Sequence, residues 1–172
     1  MWPTPADTAV LVIAIAATLT DLRHRRIPNA LTLAGALAGL IYWTSVSGGA
    51  GAWTSLQGWA LGLALWLPFY ALRGMGAGDV KLLACVGAWL GPLAVLQVGI
   101  YASVAGGVLA LLVALRHRYL RTAVQNVSML LTTWRVSGIR PIDTITLEGS
   151  RGPRLAYAVP VLAGVILAVY LR

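Results

Sequence analysis

Two carboxylates stand out in a chain with very few. The sequence holds only five Asp and Glu residues. Asp21 closes an apolar run, and Asp79 opens another after the glycine-rich stretch "RGMGAGD". Paired carboxyls support one chemistry especially well. When two lie about 3 Å apart they cannot both ionise and so share one proton. The ionised member deprotonates a water, the protonated member donates to a scissile carbonyl oxygen, and the roles reverse as the amide leaves. This aspartic mechanism needs no metal, no cofactor and no serine or cysteine nucleophile. A plainer reading stands beside it. Gly followed by Asp is ordinary helix-start chemistry, and Asp21 next to "RHRR" (23–26) could be an interfacial ion pair.

The elements that must position these residues are membrane helices. Of 172 residues, 59% are hydrophobic and 10% charged, against about 25% charged in a soluble domain. Mean hydropathy is +0.80. A spanning helix takes about 20 mostly apolar residues, and the apolar runs at 8–20, 28–46, 52–72, 79–90, 92–115 and 155–171 predict about six spans. The expected fold is an all-α integral membrane bundle, residues 1–172 forming one membrane-embedded domain. "SGGAG" (47–51) and Gly91-Pro92 are expected turns. The start "MWPTPAD" lacks a basic n-region, so the first run is expected to be a retained span. No internal repeat is visible.

Residues 116–155 differ in being polar and basic, an expected long loop before the last helix. Within them "TAVQNVSMLLTTW" (122–134) could form a helix on the membrane surface or an ordinary loop helix. With six spans, twelve of the thirteen Lys and Arg residues fall on one side, leaving only Arg172 on the other. The positive-inside rule makes the basic side cytoplasmic and turns both termini outward. Asp21 and Asp79 then lie at the same cytoplasmic depth, and ionisable residues near hydrocarbon are functional candidates. Asp7 is an expected cap of the first helix, and Asp143 and Glu148 are expected in the solvated loop.

The net charge of +8 does not point to nucleic acid, because the basic residues sit in short clusters between apolar runs and form no continuous face to track phosphates. Cys85 is the sole cysteine, which excludes an intrachain disulfide and a Cys-rich zinc site. His24 and His117 lack metal-ligand spacing. Gly74, Gly76 and Gly78 alternate ahead of Asp79. Glycine admits close approach of another chain, so they could let an extended peptide reach the carboxylate, with Asp79 at or near the N-cap of its helix. Lys81 is expected to shape the loop, contact lipid phosphate or simply snorkel.

"GAGDVKLLACVGAWLG" (76–91) resembles the Gly-x-Gly-Asp motif of the type IV prepilin peptidases, intramembrane aspartic proteases. "TDLRHRRIPNALT" (20–32) is similar to that family's other aspartate segment, with Ile27, Pro28 and Asn29 after the basic stretch. "RLAYAVPVLAG" (154–164) is similar to the start of its last helix. The resemblance implies that Asp21 and Asp79 are catalytic. It places Gly74, Gly76, Gly78, Lys81, Pro28 and Asn29 around substrate. The substrate it implies is a prepilin or pseudopilin helix in the lipid bilayer of a bacterial inner membrane, whose basic leader is removed at the cytoplasmic face. The paired-cysteine region of bifunctional members is not seen, so peptidase without methyltransferase activity is expected, as in the short tight-adherence (Flp-type) enzymes. A preflagellin-type peptidase, a non-proteolytic pilus assembly subunit and a small proton-coupled transporter are the alternatives. A transporter should carry its charges near the midplane, often with internal symmetry. Oligomeric state is left open.

Overall fold

The computed structural model describes residues 4–138 and 155–171. Arg140, Arg151, Arg154, Asp143, Glu148 and Arg172, expected in loops or at the outer end, lie outside the described residues, as do 1–3. The described chain is helical: α1 (Pro5–His24), α2 (Asn29–Ala71), α3 (Ala77–Arg116), α4 (Leu120–Ser137) and α5 (Ala158–Tyr170). Among these, α1, α2 and α3 are long and apolar enough to cross a membrane, and α5 is a shorter apolar helix. Their outward faces carry large exposed aliphatics and aromatics such as Ile15, Leu37, Ile41, Trp53 and Leu93. Such an apolar exterior suits lipid and not water; the chain is a helical membrane protein.

Helix α1 starts on a capping box. Thr4 accepts from the Asp7 N–H while the Asp7 carboxylate accepts from Thr4 N–H, and Pro5 occupies the first helical position. This satisfies donors that a helix start leaves open. The helix runs one turn past Asp21, its expected end, and stops at Arg25, which takes a left-handed φ of 53° while its N–H donates to Asp21 O. Nothing in "DLRHRR" opposes helix, so the charged turn continues it.

Helices α2 and α3 have 43 and 40 residues, about 60 Å each if straight and twice a hydrocarbon core. Neither is straight. At Gly48 (φ 59°, ψ −141°) and Gly91 (φ 78°, ψ 179°) the backbone leaves helical space, in a region open chiefly to glycine. Both sites reverse the chain. Gly51 touches the carbonyl of Trp43, and Gly99 lies against Leu83 and Leu65, approaches impossible along one rod. Each long helix is therefore a hairpin: 29–47 with 49–71, and 77–90 with 92–116. The first reversal is tighter than the expected 47–51 turn, since Gly48 alone leaves helical geometry.

The 77–90 half of α3 is the centre of the bundle, with Val80 and every residue from Leu82 to Trp89 buried. It lies between the halves of α2. Gly58 and Gly87 meet backbone to backbone, Gly62 sits on Leu83 O, and Gly35 and Gly39 face Cys85 and Ala88. Small residues let membrane helices approach this closely. Pro92 has no N–H, which leaves Ala88 O without its helical donor; the buried Ser55 hydroxyl donates to it at 2.7 Å. Trp43 Nε1 donates to the next carbonyl, Trp89 O, at 2.7 Å, and Trp89 Nε1 to Gly35 O at 2.7 Å. The 92–116 half packs on α5 through Gly164, which approaches Val98 O and Ala102. Thr18 of α1 donates to Ala158 O of α5 at 3.1 Å. These pairings bring the end of α1, the starts of α2, α3 and α5, and the end of α2 to one face of the bundle.

Candidate active site

At that face an open cavity of about 640 Å³ is lined by Thr20, Asp21, His24, Arg25, Arg26, Ile27, Pro28, Asn29, Gly76, Ala77, Gly78 and Asp79. It is built from the two segments that hold the aspartates and the start of α2. Asp21 comes from the last turns of α1 and is 8% exposed. Asp79 comes from the first turn of α3 and is partly exposed. Their charges are close enough to interact. So the structure brings together the two carboxylates that the sequence keeps far apart.

The Asp21 carboxylate is oriented by a helix-start N–H: its Oδ2 accepts from Ala158 N–H, the first residue of α5, at 3.4 Å. The N-cap of α3 is Gly76, and Asp79 stands at the third helical position, not at the cap itself. From there its Oδ2 folds back against Gly76, at the positive end of the helix dipole.

The loop before Asp79 has a defined build. The end of α2 is a Schellman turn: Arg73 takes φ 56°, its N–H donates to Tyr70 O at 2.8 Å, and Gly74 N–H donates to Phe69 O at 2.9 Å. That pattern satisfies the last carbonyls of a helix. Met75 then turns inward, 8% exposed, and anchors the loop to the core. The three glycines differ. A β-carbon at Gly76 would stand 3.0 Å from Asp79 Oδ2, and one at Gly78 would stand 3.2 Å from Ile27 Cβ, whereas one at Gly74 would meet only Phe69 O at 3.5 Å. Gly76 and Gly78 line the cavity; Gly74 and Lys81 are not among its lining residues. Lys81 is exposed and its Nζ donates to Asn29 Oδ1 at 3.0 Å, tying the start of α3 to the start of α2 across the cavity's lip.

Sequence reasoning missed Ala158 and Tyr157. Ala158 is 137 residues from the Asp21 it bonds, and a backbone donor leaves no trace in residue type. Tyr157 packs its ring over Gly106 and edge-on to Trp66, 6.1 Å between centroids, within electrostatic reach of Asp79.

Residues 8–111, which hold both aspartate segments, match the type IV leader peptidase family. The chain belongs to the type IV leader peptidase family. Among curated relatives, the "Prepilin leader peptidase/N-methyltransferase" of Aeromonas hydrophila is 33% identical over 130 residues, covering 69% of this chain and 43% of the relative. The protein of the same description in Burkholderia pseudomallei (strain K96243) is 36% identical over 126 residues, 66% of this chain and 40% of the relative. The "Type 4 prepilin-like proteins leader peptide-processing enzyme" of Escherichia coli O78:H11 is 31% identical over 128 residues, 65% and 46%. The matches thus span less than half the length of these curated relatives. No solved structure matches the chain.

Proposed function

We propose that this chain is an intramembrane aspartic endopeptidase that removes the leader from prepilins or pseudopilins, with Asp21 and Asp79 as its catalytic pair. The observation that carries the reading is the meeting of these carboxylates in one open cavity at the end of the bundle, in a chain that belongs to the leader peptidase family. The cavity's walls suit an extended peptide. Gly76 and Gly78 project no side chain into it, and Pro28 and Ile27 give it apolar surface. In the reaction the ionised carboxylate takes a proton from a water held between the pair. The water oxygen bonds to the carbonyl carbon, and the protonated carboxylate gives its proton to the carbonyl oxygen. The C–N bond then breaks and the leaving amine takes the proton first drawn from the water. The water-derived oxygen stays in the new carboxyl, and the pair returns to one shared proton.

The hairpins in α2 and α3 give the reading its topology. Helix α1, the two halves of α2, the two halves of α3 and α5 make six traverses. The start of α1 and the end of α5 then face away from the cavity, and the cavity lies on the face with "RHRR", Arg73 and Arg116. By the positive-inside rule that face is cytoplasmic, so the enzyme works at the cytoplasmic face of a bacterial inner membrane, as one membrane-embedded domain. A prepilin helix in the bilayer would present its leader junction at the depth of Asp21 and Asp79. Only the peptidase part of the relatives' names is carried over, because the family that matches is that of the leader peptidases. Co-expression with a prepilin tests the proposal. Wild type is expected to shorten the prepilin by its leader, and Asp21→Ala and Asp79→Ala to leave it full length. Normal processing by either variant would refute the pair.

A further inference from the structure

Helix α4 carries an apolar face that no other described helix covers. Leu120, Val124, Val127 and Leu131 recur at intervals of four, three and four residues, so they share one side of the helix, and all four are exposed. Thr122, Gln125, Asn126 and Thr132 occupy the opposite side together with the exposed Met129 and Val136, and Arg121 and Arg135 fall beside the apolar strip at that register. Among the described residues α4 packs against α3 alone. The stretch 116–138 contains Arg116, Arg118, Arg121, Arg135 and His117, and no Asp or Glu.

The approach to α4 fixes its level. The outer surface of α3 is an apolar strip through Val108, Leu111, Leu112 and Leu115, the surface that faces lipid in a spanning helix. The chain then turns sharply in a Schellman motif. Arg118 takes φ 53°, its N–H donates to Leu115 O at 3.2 Å, and Tyr119 N–H donates to Ala114 O at 2.8 Å. Leu120 opens α4 directly after this turn. Helix α4 thus begins directly at the end of the lipid-facing strip of α3, at the end of the span.

We propose that α4 lies in the headgroup layer of the bilayer, its apolar strip toward the acyl chains and its arginines on anionic phospholipid headgroups. An amphipathic helix with basic residues along its polar border takes this position, and anionic lipid adds attraction for each Arg near the surface. Charge argues against a second copy of the chain on this face, since pairing two such helices would set Arg121 and Arg135 of one beside those of the other, with no Asp or Glu in the stretch to offset them. The proposal does not depend on peptidase activity.

The test places single cysteines at positions 124, 125, 127, 131 and 132 in a Cys85→Ala background, attaches nitroxide labels, and reads accessibility to oxygen and to a water-soluble nickel chelate in lipid nanodiscs. Labels at 124, 127 and 131 are expected to be oxygen-accessible and shielded from nickel, and labels at 125 and 132 the reverse. Nickel access at all five would overturn the proposal and leave a solvated helix. Broadening of the apolar-face labels by labels on a second copy would overturn it in favour of self-association. Shielding from both reagents without broadening would overturn it in favour of burial in protein. In nanodiscs of phosphatidylcholine alone, compared with one third phosphatidylglycerol, the ratio of immersed to solvated label is expected to fall about fivefold for each arginine engaged. The Arg118→Gln/Arg121→Gln variant should lose the share those two arginines supply, about 25-fold. Equal immersion in both lipids would overturn the anionic-headgroup assignment.

Discussion

The glycines ahead of Asp79 offer a graded test of how the site is held. At Gly76, φ −75° and ψ 145° are open to any L-residue, so Gly76→Ala brings no backbone strain. Its β-carbon would stand 3.0 Å from Asp79 Oδ2, closer than carbon and oxygen ordinarily pack. The carboxylate must swing away by a few tenths of an ångström. Displacing a reacting group by about 1 Å costs on the order of 10²-fold in rate. A shift of part of that size lowers kcat about tenfold, with little change in KM or thermal stability, since the carboxylate can rotate. Gly78→Ala presses on Ile27 Cβ at 3.2 Å, a side chain that can yield, so its effect should be smaller. Gly74→Ala meets only Phe69 O at 3.5 Å, an ordinary contact, and should cleave like wild type. The assay is the rate of leader removal from purified prepilin in lipid nanodiscs, with unfolding followed in parallel. If Gly74→Ala proved as damaging as Gly76→Ala, the glycines would serve general loop freedom, and placement of the Asp79 carboxylate would not be their role.

Further expectations follow from the packing and the chemistry. Gly87→Ala sets a β-carbon against the Gly58 carbonyl, where neither backbone can rotate aside; overpacking of this kind costs about 1–3 kcal/mol and should lower the unfolding temperature together with cleavage, while an unchanged unfolding temperature would contradict the close contact of α2 and α3. Ser55→Ala strands Ala88 O beside Pro92 and should destabilise by about 1–3 kcal/mol, read by the same melt. Lys81→Met and Asn29→Ala remove one exposed hydrogen bond, worth at most about 1 kcal/mol, so cleavage should stay within about fivefold of wild type; loss as complete as that of Asp79→Ala would place Lys81 in the chemistry. Cleavage should show a bell-shaped pH profile, because one carboxyl must be protonated and the other ionised; a profile flat on either side would count against the pair.

Much of the site was legible because charge is costly in an apolar chain. Asp21 and Asp79 announce themselves by standing at the edges of hydrophobic runs, and the reversal at Gly91-Pro92 is written in a residue free to take a positive φ followed by one with no N–H to donate. The start of α2 at Asn29 and the presence of α4 within the polar stretch also agree with the pattern. Long-range partners were not legible. That Ala158 N–H meets Asp21, that Gly58 lies on Gly87, and that Met75 pins the glycine loop are matters of packing between distant segments, with no periodic signal. Helix ends misled for a related reason. Helix α1 outlasts Asp21 because its stop is a left-handed Arg25, where a reader looks for glycine, and α5 begins at Ala158 and not at 155. Gly74 looked equivalent to Gly76 and Gly78 in spacing and is not equivalent in surroundings.

The central claim is that Asp21 and Asp79 act as one unit on one water. Its most direct test is the rate of leader removal by purified Asp21→Asn, Asp79→Asn and the double variant, all shown to be folded in nanodiscs. Groups that act in the same step are far from additive, so each single variant is expected to fall to the same residual rate as the double. A single variant that keeps most of its activity, or a double that loses the product of two independent partial effects, would contradict the account.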